Sequence, residues 1–240
     1  MFGKKLIKDP IELTLGASQF CILWEGRSSD YSHEFRVDTD EKQYNLYYRE
    51  GRFLGTPTPD GGAIYPFSVN PLERGSRADK KKISRAKVVC ISKTFNLTVN
   101  WGTQKPFLMY DSATNVPYTI GANGCFYVEI DPADGGRNAD RFYGKLLSQG
   151  DPTQMDADAL RDKLIAAFIN RIGVEIQNCL EEIKRPFASL IGLQPGEILR
   201  ISEAIYPRLK NLFDDYGLTI VEEASKGSIL QGITVKPVVQ

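Results

Sequence analysis

From Leu160 onward, apolar residues return every three or four positions: Leu164, Phe168, Ile172, Ile176, Leu180, Ile183 and Phe187. That spacing is one face of an α-helix carried through about eight turns. Asp156, Asp158 and Asp162 complement the positive end of its dipole. Pro186 predicts a kink or stop, because it has no N–H to donate. At 1.5 Å per residue the stripe spans roughly 45 Å, so its apolar face demands a large cover. Any part projecting from the domain would pack on a neighbour as a coil, although Gly173 and Pro186 spoil a regular one.

The cover is sought in the front half, which reads as strands. Ser18 to Trp24 is an aromatic and β-branched run stopped by Gly26. Tyr44 to Arg49 turns at Glu50-Gly51 into Phe53-Leu54, and Pro57 to Gly62 is a turn cluster before Ala63-Ile64-Tyr65. Lys87 to Val99 reads as one long strand, closed by Trp101-Gly102-Thr103. Tyr118 to Ile120 and Cys125 to Ile130 form the next, interrupted by Gly121 and Gly124, a pair that marks a bulge or a close backbone approach. Behind the strands, Ala139 to Leu147 is a short helix. A second helix carries Ile205, Leu209, Leu212, Phe213 and Tyr216, with Ser202 near its cap so that Pro207 falls early. Gly217 is placed as a left-handed C-cap, and Leu218 to Val221 and Ile229 to Val235 return to strand. The fold class is α+β.

Chemistry-bearing motifs are sparse. The single histidine, His33, stands in a polar loop and reads as solvated. Cys21, Cys90, Cys125 and Cys179 form no CxxC and read as reduced, buried thiols of a cytoplasmic protein. Asp214-Asp215 and Glu222-Glu223 lie at element ends, where carboxylates are normally solvated. Gly121 to Gly124 precedes strand instead of opening a helix, so it is no phosphate cradle. No catalytic residue, cofactor or metal ligand is identified, and the chain reads as no enzyme. Thirty basic residues balance thirty acidic ones, so bulk charge gives no pull toward nucleic acid. The one basic concentration is Arg74, Arg77, Lys80, Lys81, Lys82, Arg85 and Lys87, read as a linker between strands. Its alternative role is contact with an anionic surface such as lipid. The basic N-terminus lacks the apolar core of a signal peptide, and no apolar run reaches membrane-spanning length.

The order of these segments resembles the SPFH (Band 7) superfamily of stomatins, prohibitins and flotillins. The resemblance rests on Trp101-Gly102-Thr103-Gln104-Lys105-Pro106, the glycine-broken strand from Tyr118 to Ile130 ending in Asp131-Pro132, and Phe142-Tyr143-Gly144-Lys145-Leu146-Leu147. Ser18 to Gly26 is similar to the opening strand of the soluble bacterial branch labelled virion-core-protein-like, and Ile201 to Glu223, built on Tyr216-Gly217-Leu218, to its closing helix and strand. The resemblance implies an N-terminal segment 1–15, one domain over 16–235 and a tail 236–240. Within the domain, 16–132 is β-rich, 139–216 helical, and 218–235 supplies the closing strands. It further implies a homo-oligomer that recruits a membrane-protein partner and carries no catalytic residues. The membrane anchor and the zinc ribbon that some members carry are not expected here.

The expected function is thus a non-enzymatic oligomerising scaffold or adaptor in the bacterial cytoplasm, peripheral at the inner face of the membrane. Three alternatives accompany it: an anionic-lipid-binding protein using residues 74–87, a phage or virion structural protein, and an enzyme of unrecognised type, which would need a cleft with convergent polar groups.

Overall fold

The computed structural model describes residues 11–13, 15, 20–27, 35–39, 41–56, 63–64, 85–111, 114–148, 157–182 and 186–238. The chain is α+β and divides into two compact units, one built from 1–95 and 130–155, the other from 96–129 and 156–240.

The described residues of the first unit form seven strands: β1 (Ile11–Leu13), β2 (Cys21–Arg27), β3 (Phe35–Thr39), β4 (Gln43–Arg49), β5 (Arg52–Gly55), β6 (Ala63–Ile64) and β7 (Arg85–Ser92). β1 pairs parallel with β3, and β3 antiparallel with β6. The larger sheet, in order β2-β7-β4-β5, is antiparallel throughout. Side chains alternate across it. One face carries Ala86, Val88 and Cys90, packed with Leu13, Ile22, Trp24 and Tyr47. Gln43 ties the two sheets together: its amide donates to the Leu13 carbonyl at 3.0 Å and accepts from Leu15 N at 3.2 Å. The other face presents the rows Glu25–Lys87–Tyr48 and Leu23–Val89–Leu46 toward α1 (Gly135–Phe142), which runs on as a π-helical turn over Tyr143–Leu147. Phe142 of α1 packs on Phe95, and Tyr143 on Tyr48.

The second unit is organised by one strand. β10 (Pro117–Ile130) is flanked on one edge by β8 (Asn96–Gly102) and β9 (Phe107–Tyr110), and on the other by β11 (Leu218–Ile220) and β12 (Gly232–Pro237). The inner face of this sheet receives α2 (Ala157–Glu182): Phe168 stacks on Phe126 at 4.4 Å between ring centres and meets Trp101 at 5.1 Å. Buried residues continue along α2 from Leu160 to Leu180, so the predicted stripe is spent inside the unit. α3 (Pro195–Leu209) lies against α2. The 3₁₀ turn Asp214–Tyr216 ends on Gly217 at φ 72°, the left-handed cap expected there. Leu218 then opens β11, and α4 (Glu222–Ser225) follows.

Several boundaries differ from the sequence reading. The run from Lys87 to Val99 is two strands: the chain turns at Lys93-Thr94, and the Ser92 and Thr94 hydroxyls meet at 2.9 Å. β2 passes through Gly26 instead of stopping there. β10 is uninterrupted, and Gly124 serves the close approach: a Cβ there would press on the Ile229 carbonyl and lie 2.9 Å from the Ser228 oxygen. Phe187 is buried in a separate 3₁₀ turn after Pro186, outside α2; Ile183 lies outside the described residues. Ser202 is no cap. α3 starts seven residues earlier with Pro195 in its first turn, and Gln194 N donates to Glu197 at 3.1 Å. Pro207 therefore falls in the last turn of α3 rather than the first.

Candidate functional site

The larger sheet of the first unit ends in a cleft of about 440 Å³ lined by Glu25 and Gly26 of β2, Arg85 and Lys87 of β7, Tyr48 of β4 and Gly51. Its floor is Lys87, on the central strand β7. Strand alternation puts Glu25, Lys87, Arg85 and Tyr48 on one face, because Glu25 and Tyr48 are the two cross-strand partners of Lys87 and Arg85 is two residues away. Lys87 donates to the Tyr143 hydroxyl at 3.0 Å. Its ammonium stands 5.1 Å from the Tyr143 ring centre and 5.4 Å from that of Tyr48, both within cation–π range. The Tyr48 hydroxyl donates to Asp140 at 2.5 Å. Burial, then that bond to a carboxylate, pushes the Tyr48 phenol well above its ordinary range, so it stays protonated.

The charges around this cleft are unevenly spent. Asp140 is taken by Tyr48, and Glu50 accepts the Arg85 backbone N–H at 2.8 Å. Cross-strand neighbours of opposite charge ordinarily pair, yet no ion pair joins Glu25 to Lys87 among the described residues. The lysine turns to its two tyrosines instead. Two aromatic faces and a hydroxyl suit an ammonium that holds an anion.

Of the seven basic residues singled out by sequence, Arg85 and Lys87 belong to β7 and not to a linker. Arg74, Arg77, Lys80, Lys81 and Lys82 lie outside the described residues, as does His33. Glu25, Tyr48, Asp140 and Tyr143 were not anticipated. Strand register alone makes the first two neighbours of Lys87, and the helix supplies the others.

In the second unit the buried polar groups are committed to structure. The Ser202 hydroxyl donates to the Lys226 carbonyl at 2.9 Å and accepts from Leu230 N at 3.1 Å. Ser225 accepts from Tyr127 N, Trp101 donates to the Ile229 carbonyl, and Tyr206 to that of Ile220. Asp111 accepts from Phe187 N at 2.8 Å and so starts the 3₁₀ turn. Asp214-Asp215 and Glu222 to Glu223 are exposed at element ends. All four cysteines are free and buried, and burial raises the Cys21 and Cys90 thiols to about 12. Among the described residues no cluster of acids, histidines and cysteines could hold a metal, and no helix is long and apolar enough to cross a membrane.

Among the described residues of this unit, β9 pairs with β10 alone, which leaves its other edge open. Asp111 N bonds to the Val116 carbonyl, so alternation turns the main-chain groups of Leu108 and Tyr110 away from β10. The Pro117 carbonyl agrees, since it accepts from Val238 on the opposite side. The Leu108 and Tyr110 side chains are 60% and 56% exposed.

No protein-family model matches the chain, and neither a curated protein nor a solved structure does.

Proposed function

We propose that this chain is a non-enzymatic, self-associating scaffold or adaptor of SPFH-like architecture, serving at a membrane's inner face through a membrane-protein partner. The order of strands, long helix, second helix and Gly217-led closing strand supports the reading. The observation that carries it is the edge of β9, unpaired among the described residues, with outward main-chain groups and exposed Leu108 and Tyr110. An apolar edge without a charge along it is a template for another strand. A second copy offers the same edge, and antiparallel pairing about a two-fold axis satisfies both. The balance of thirty cations against thirty anions does nothing to oppose it.

Light scattering over a concentration series tests this. The wild-type chain is expected to form dimers or larger species, and Leu108→Lys with Tyr110→Lys to shift it toward monomer without loss of helical signal. A wild-type chain that stays monomeric throughout would refute assembly through this edge.

A further inference from the structure

The cleft in the first unit is independent of that edge, and we propose that it binds a small soluble molecule bearing both an amine and a strongly acidic group. The argument is one of charge and reach. Lys87 and Arg85 face the cleft from one strand, about 7 Å apart by strand rise, and Glu25 faces it from the next. Glu25 and Lys87 are direct cross-strand partners, so their Cβ atoms sit about 5 Å apart. Tyrosine rings and the Tyr143 hydroxyl hold the lysine away from that carboxylate. A ligand with acidic oxygens between Lys87 and Arg85 and an amine on Glu25 satisfies all three groups together. Lys87 and Arg85 for the acid and Glu25 for the amine match an amine joined to an acid, as in an aminoalkyl phosphate monoester or a dicarboxylic amino acid. Gly26 and Gly51 add no side chain to the cleft lining.

Calorimetric titration of the full chain tests the assignment with O-phosphoethanolamine and glutamate, beside inorganic phosphate and glutarate, which lack the amine. At least one amine-bearing probe is expected to saturate, about ten-fold tighter than its amine-free counterpart. Lys87→Met should remove binding, Arg85→Gln weaken it about ten-fold, and Glu25→Gln abolish the preference for the amine. Arg85 and Glu25 are exposed, so those variants carry the test even where Lys87→Met fails to fold. Saturation by neither probe below about 10 mM, equal binding of the amine-free compounds, or affinities unmoved by Arg85→Gln and Glu25→Gln would each overturn the proposal. So would Lys87-dependent pelleting on phosphatidylethanolamine vesicles without binding of the free compounds.

Discussion

Gly124 shows how one missing side chain decides a local structure. The closing segment crosses β10 so tightly that Cys125 N donates to the Ser228 carbonyl at 2.8 Å, while the Ser228 hydroxyl returns a bond to the Cys125 carbonyl at 3.1 Å. An added methyl at Gly124 would meet main-chain atoms, the Ile229 carbonyl carbon at 2.8 Å among them, and main chain yields less readily than a side-chain tip. Gly124→Ala is therefore expected to destabilise the second unit by about 2 kcal/mol or more. Urea denaturation followed by circular dichroism measures it; a midpoint within error of wild type would contradict the close approach. Gly217 is a different case: its need is conformational, a positive φ where a side chain is strained. Sequence reading foresaw the Gly217 cap. At Gly124 it offered bulge or close approach, and only the crossing chain chooses between them.

At the scale of elements, the helix pair α2–α3 is joined by charge as well as by packing. Glu175 is buried on the face of α2 next to Ile176, and forms ion pairs with Arg171 at 2.6 Å and with Arg208 of α3 at 3.8 Å. Arg208 also pairs with Glu182. Since Arg171 is half exposed, the full penalty for orphaning a buried charge does not apply. Glu175→Gln is expected to cost about 1–2 kcal/mol, and 1 M salt should recover little of it because the carboxylate is shielded from solvent. A double-mutant cycle with Arg208→Gln measures the coupling; a coupling of zero would leave Glu182 as the charge link between α2 and α3. This pair also marks the limit of sequence reading. The period of Leu160, Leu164, Phe168, Ile172, Ile176 and Leu180 made α2 legible, because burial imposes that spacing. Glu175 and Ser202 were not legible as buried groups, since the segments that cover them are distant in sequence and leave no local pattern. The break at Lys93-Thr94 was hidden too: β7 and β8 are both strand-like apolar runs, yet they join different sheets. β9 was overlooked as a four-residue strand after Pro106, although Phe107-Leu108-Met109-Tyr110 is an apolar run. In the first unit, the basic run hid a strand start at Arg85, because charge drew attention before register did.

At the scale of the whole molecule, burial raises thiols and a phenol in both units. The Cys21 and Cys90 thiols are pushed up to about 12 from an ordinary 9.0, first by burial. The Tyr47 phenol, whose hydroxyl has no hydrogen-bond partner among the described residues, is raised to about 12 from 10.0, again by burial. Cys125 and Cys179 in the second unit move the same way. In each case the native state keeps its proton after the unfolded chain has lost it. Stability from these groups is complete below about pH 9 and is lost as pH climbs toward 12, on the order of 1 kcal/mol per pH unit for each buried thiol. The midpoint of thermal unfolding is thus expected to be flat from pH 7 to about 8.5 and to fall steeply above pH 9. A Cys21→Ala/Cys90→Ala chain should begin less stable, from the lost packing, but show a shallower alkaline decline. Equal slopes in the two chains would mean that these thiols ionise as freely in the fold as out of it. That outcome would contradict their burial on the two faces of the first unit's larger sheet, and with it the packing that holds Lys87 in place beneath the cleft.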